Sequence, residues 1–280
     1  MKQAALIQNL KLFNAKERDH LMRAAYLGVS ASKYQTTTQF LSDDFDKKLR
    51  SHVKELGLDE SNARCVFAGM DYHLDWLFAA LWMTANKPDW DGNKVDDIRV
   101  PMEIHTTEDG IKNLHSDFRL ITGTQEDLDL LVVYSDEKKL AMLFIEAKGS
   151  AAFDRVQLGR KLIRLDRIIA HADSELLMQC RLVLVAPKRP DFKDAEGKEY
   201  KSWISFAQGL PENRAEEFSV MTAALAKIKS GIGDGIHFIK VDGFPETLYA
   251  VERQREDTKS KEGDYKYWTL TPRKHSKDAT

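Results

Sequence analysis

Apolar and polar positions along this chain follow two rhythms. Residues 126–134 begin with Glu126, Asp127 and Asp129 and continue through Leu130, Leu131, Val132 and Val133. After a polar stretch over 135–139, residues 140–145 are apolar throughout and lead into Glu146, Ala147 and Lys148. Two apolar, partly β-branched runs separated by a short polar stretch predict the strands of a hairpin. Residues 181–186 predict a buried strand ended by Pro187. A helical rhythm governs residues 153–172, where Leu158, Leu162, Leu165 and Ile169 form one stripe. Residues 62–85 are apolar at Val66, Phe67, Met70, Leu74, Leu77 and Leu81, with Trp76 and Trp82 beside them; the three- and four-residue steps predict a long apolar helix.

The flanks are plainer. Residues 1–57 read as helical, with Asn14 and Glu17 spaced as a capping box and Leu21, Met22, Ala25 and Tyr26 at helical steps. A second helix is predicted over 43–56, closed by Gly57. A polar loop over 86–98, a short strand over 98–104 and a turn over 115–123 lead into the hairpin. Beyond residue 188 the pattern predicts charged loops over 190–201 and 252–264, a helix over 213–230, strands over 237–241 and 265–270, and a disordered tail over 273–280. Gly231, Gly233 and Gly235 follow no strand and open no helix, so they predict a turn and not a nucleotide-binding loop. The expected architecture is α/β, with a helical extension over 1–57, a core over 62–187 and an α+β extension over 188–280.

Composition adds bounds. A chain of 280 residues, 42% hydrophobic and 31% charged, has the balance of an ordinary globular protein. No apolar run approaches a membrane span, and the first residues lack the apolar core of a signal peptide. Cys65 and Cys180 lie far apart in apolar segments and read as buried thiols, so a reducing compartment, the cytoplasm, is expected. A net charge of −2 argues against a nucleic-acid coat protein but not against a local phosphate-binding patch.

The chemistry concentrates in the hairpin. The start of an antiparallel strand lies beside the end of the next, which brings Asp129 to Glu146 and Lys148. Glu146 and Lys148, two apart, project from one face. Two carboxylates and an ammonium suit a hard divalent cation and a phosphate. Mg²⁺ or Mn²⁺ takes oxygen ligands, and a cationic side chain pairs with the phosphate or orients a water. A strand ending in Glu-x-Lys also suits a solvated edge with a cross-strand ion pair. The buried character of 143–145 and the basic helix that follows favour a site.

This pattern resembles the PD-(D/E)xK nuclease superfamily, with its restriction-endonuclease-like αβββαβ core, over residues 62–187. The resemblance implies a mixed sheet flanked by helices. It implies a metal held by Asp129, Glu146 and the Ala147 carbonyl, with Lys148 assisting the nucleophile. Leu128 stands where the name of the superfamily has proline. The resemblance also implies an acidic residue contributed ahead of the hairpin. Asp71 and Asp75, four apart on the predicted helix, are the candidates, with Asp71 favoured for its more apolar surroundings; Asp127 is a rival to Asp129. On the helix after Lys148, Gln157 is expected to touch a metal-bound water or a phosphate oxygen, and Arg160, Arg164 and Arg167 to track a nucleic-acid backbone, with Asp154 as cap. His115 and Asp117 read as titratable neighbours of the site, and His115 also suits a plain surface residue.

The expected function is a Mg²⁺- or Mn²⁺-dependent deoxyribonuclease, an effector of restriction or anti-phage defence gated by a protein partner or homo-oligomer. RNA is not excluded as substrate, and no membrane association is expected. A structure-selective repair or recombination nuclease and a non-catalytic binding subunit are the alternatives.

Overall fold

The computed structural model describes residues 2–14, 19, 21, 41–89, 121, 126–148, 153, 155–189, 232, 235–241, 247–255 and 265–274. In chain order the elements are α1 (Lys2–Phe13), α2 (Asp43–Glu55), β1 (Arg64–His73), α3 (Leu74–Asn86), β2 (Asp127–Ser135), β3 (Leu140–Ala147), α4 (Arg155–Ile169), β4 (Met178–Ala186), β5 (His237–Lys240), β6 (Thr247–Arg255) and β7 (Tyr265–Lys274). The protein is α/β. Strands β1 to β5 form one mixed sheet in sequential order. β1, β2 and β3 are antiparallel neighbours, whereas β4 runs parallel to β3 and β5 parallel to β4. The crossover from β3 to β4 is made by α4, as a parallel pair requires. β5 lies beyond residue 188, so the C-terminal part of the chain supplies a strand to the central sheet. β6 and β7 form a separate antiparallel ribbon, Thr247 opposite Lys274.

The hairpin forms as its pattern predicts, Leu130 opposite Ile145 and Ser135 opposite Leu140. β3 is buried on both faces, which accounts for its unbroken apolar run. On one face Met142 and Phe144 join Leu162 and Leu165 of α4, Leu77 and Leu81 of α3, and Leu6 and Leu10 of α1. On the other, Ala141, Leu143 and Ile145 pack with Leu49 and Val53 of α2. The Tyr134 hydroxyl donates to Asp46 Oδ1 at 2.6 Å and ties α2 to that second face. Ser42 caps α2 by accepting from the Phe45 amide, and Gly57, at φ +80°, closes its C-terminal turn.

Residues 62–85 are not one helix. Arg64–His73 is a strand paired along its length with β2, from Arg64 opposite Ser135 to His73 opposite Asp127, and only Leu74–Asn86 is helical. The segment is apolar on every side, and periodicity does not separate a buried strand from a buried helix in that case. Local chemistry decides it. Cys65, Val66, Phe67 and Tyr72 favour a pleated surface, and Asp71 adopts φ +46°, a conformation no α-helix contains. The Leu74 amide then donates to Glu126 O at 3.0 Å as α3 begins.

Smaller revisions follow at the C-terminal end. Residues 252–255 belong to β6 rather than a loop, and 273–274 continue β7 rather than opening a tail. Cys180 is buried and Cys65 half-buried, both as free thiols. The expected strand over 98–104, the helix over 213–230, the loop over 190–201, and His115, Asp117 and Asp154 lie outside the described residues. No helix among the described residues is long and apolar enough to cross a membrane.

Candidate active site

Sheet register assembles a row of acidic residues. Met70 faces Leu130 and Tyr72 faces Leu128, which sets Asp71 level with Asp129 on the neighbouring strand. Leu130 faces Ile145, and one step further along the same antiparallel pair lie Asp129 and Glu146. Asp71 therefore reaches the row as a strand residue, not from a helix. By sheet alternation Glu146 shares the face of Met142 and Phe144, where α4 packs.

Asp129 is held in place by the backbone across from it: the Ala147 amide donates to its Oδ2 at 2.6 Å. The carboxylate takes a bond that would otherwise need a ladder partner at the strand's end. Glu146 is only 2% exposed. The Lys161 ammonium, equally buried, donates to Glu146 Oε1 and to the Asp127 carbonyl, the latter at 2.6 Å. Burial pushes the Glu146 carboxyl from 4.5 up to about 7, against the pull of Lys161; the charge of Asp129 adds to the rise and that of Lys148 opposes it. Both neighbours are thus close enough to act on Glu146 electrostatically. Lys148, half-buried just past β3, donates its amide to Val185 O at 2.9 Å, which anchors the exit of the strand.

The basic face of α4 divides. Gln157 is exposed, and Arg160 and Arg167 are half-buried. Arg164, expected on the nucleic-acid-binding surface, is turned inward. Its side chain is 6% exposed and bridges Asp75 and, at 2.9 Å, Glu126. The reason is its place along α4: two turns after the exposed Gln157, this part of the helix meets Asp75 of α3 and Glu126. The same bridge answers the charge of Asp75 with a guanidinium. The three acids of the row do not draw together tightly. The described His, Cys, Asp and Glu side chains whose ligand atoms all lie within 4.8 Å of one another are His52, Glu55 and His237.

Two buried neighbours of the row are not evident from the sequence pattern. Lys161 lies three residues after Leu158 and four before Leu165. A cation at the margin of an apolar stripe is the one signal that points to it. Asp19 is buried at the β1 end of the row, its carboxylate accepting from the Met70 amide at 3.3 Å and from Asn14 Nδ2 at 2.9 Å. Nothing in the local sequence marks it. Comparison with protein-family models, with curated proteins and with solved structures found no match to this chain.

Proposed function

We propose that this chain is a divalent-metal-dependent nuclease that hydrolyses DNA phosphodiester bonds on a restriction-endonuclease-like core. One observation carries the reading. Asp129 and Glu146 stand opposite each other on adjacent strands, at the sheet end where Lys148 and Lys161 bring positive charge. The order of elements supports it. With α3 and the residues after it taken as an insertion, α2, β1, β2, β3, α4 and β4 follow the αβββαβ series, β4 parallel to β3.

Asp129, Glu146 and the Ala147 carbonyl would hold the ion, with Asp71 next in the row. An all-oxygen donor set fits Mg²⁺ or Mn²⁺, and a carboxyl raised by burial fits a place that a cation relieves. When bound, such an ion neutralises phosphoryl charge and makes a water more acidic. Lys148 orients the attacking water or pairs with the scissile phosphate. Gln157 and Arg160, on the first turns of α4, contact phosphate oxygens, and Arg167 extends that surface. Lys161 fixes the Glu146 rotamer. It also occupies Oε1, which leaves Oε2 as the oxygen of Glu146 that would be open to an ion. That grip offers a point of control for a partner or oligomer, in keeping with a defence effector that stays idle until engaged.

The test is nicking of supercoiled plasmid with Mg²⁺, Mn²⁺ or EDTA by the intact chain and by Asp129→Asn, Glu146→Gln and Lys148→Ala. Metal-dependent nicking lost in all three supports the reading; nicking that survives in Asp129→Asn and Glu146→Gln overturns it. A non-catalytic binding subunit is the second reading, favoured by the satisfied Lys161–Glu146 pair. It predicts no nicking and duplex affinity unchanged by Lys148→Ala.

A further inference from the structure

On the sheet face opposite Glu146, three potential metal ligands converge from separate elements. His52 and Glu55 are three residues apart on α2, which places them on one side of that helix. His237 opens β5, opposite Val183 of β4, and Val183 packs with α2. The ligand atoms of all three lie within 4.8 Å of one another. The two imidazoles meet edge to face, ring centroids 5.5 Å apart. Two atoms bound at about 2.1 Å to a shared ion are at most about 4.2 Å apart, so closure is a rotamer-scale adjustment. The Glu55 side chain is 56% exposed, which gives an ion a path from solvent.

A guanidinium now stands at this convergence. Arg181 Nη1, from β4, donates to Glu55 Oε2 at 2.6 Å and lies 3.3 Å from His52 Nδ1. Burial and the Arg181 charge lower the pKa of both histidines, that of His237 to about 4.

We infer that His52, Glu55 and His237 form a binding site for a divalent transition ion, with Arg181 as a built-in competitor that must swing off Glu55 for the ion to enter. Two imidazoles and one carboxylate are a zinc-type donor set, distinct in chemistry from the all-oxygen row across the sheet. The two sites share no residue, so the failure of either leaves the other standing.

The experiment is calorimetric titration of the chelator-stripped full-length protein with Zn²⁺, repeated with Co²⁺ and followed by visible absorption. The expected result is one equivalent of Zn²⁺, a tetrahedral Co²⁺ spectrum, and affinity reduced at least about tenfold in His237→Gln and in Glu55→Gln. Arg181→Met removes the competitor and tightens binding. Because His52 and Arg181 are buried, circular dichroism checks that each variant is folded, while Glu55→Gln, at an exposed position, tests the site without a packing change. No stoichiometric Zn²⁺ binding by the intact protein, or binding equal in intact protein, His237→Gln and Glu55→Gln, overturns the inference.

Discussion

Replacing Lys161 by Met takes the ammonium away from Glu146 while leaving an unbranched side chain in the core. In the intact protein the Glu146 carboxyl is raised from 4.5 to about 7, burial outweighing the attraction of Lys161. A folded-state value above the unfolded one means that the native protein keeps a proton which the unfolded chain has released. The stability this group contributes is full below about pH 4.5 and is lost as the pH climbs through about 7. Over that window the loss is about 3 kcal/mol, at 1.36 kcal/mol for each pH unit. Without Lys161 the carboxyl moves higher still, and the loss continues above pH 7.

The penalty of Lys161→Met is therefore expected to depend on pH. Near pH 8 the variant's carboxyl still holds the proton that the intact protein has released above about 7, and at 1.36 kcal/mol for each pH unit this adds about 1.4 kcal/mol to the penalty. Near pH 5 Glu146 is protonated in both proteins, and what remains is mainly the lost bond to the Asp127 carbonyl, about 1 kcal/mol. Urea unfolding of both proteins at about pH 5, 6.5 and 8 reads the difference directly, provided the m-values agree. In a Glu146→Gln background the same substitution is expected to lose its pH dependence. An equal penalty at pH 5 and pH 8, or a pH dependence that survives Glu146→Gln, refutes the assignment of Lys161 as the counter-charge of Glu146.

Arg164→Met removes the cation shared by Asp75 and Glu126 and is expected to destabilise by about 2–4 kcal/mol in urea unfolding, with nucleic-acid affinity unchanged at temperatures where the variant is folded. A weakened affinity without loss of stability would return Arg164 to the binding surface. Gly57→Ala places a Cβ whose nearest neighbour is Lys139 Nζ at 3.7 Å, so no clash arises and the cost is the left-handed backbone alone, about 1 kcal/mol at the denaturation midpoint.

Legibility in this sequence depends on contrast between neighbouring positions. β2 and β3 are each bounded by charged residues, with a short polar link between them, so the amino-acid pattern alone defines their ends and their register. The meeting of Asp129 with Glu146 follows from that register. β1 offers no such contrast. Its apolar steps suit either rhythm, and the residue that decides between them, Asp71 at φ +46°, looks like any other acid in the sequence. The consequence reaches the site: a helix would set Asp71 and Asp75 side by side, whereas the strand sends Asp71 to the acidic row and leaves Asp75 to Arg164. On α4 the ambiguity has another source. Four polar residues at three- and four-residue steps describe one stripe, but Gln157 and Arg164, seven residues apart, share one side of the helix and differ in their place along its axis: Gln157 is exposed, whereas Arg164 meets Asp75 and Glu126. Arg164 and Lys161 lie toward the core, where a cation persists only beside buried acids. Their burial is therefore itself a pointer to Glu146 and Asp75. A basic residue one step off an apolar stripe marks the place to look for the carboxylate it answers.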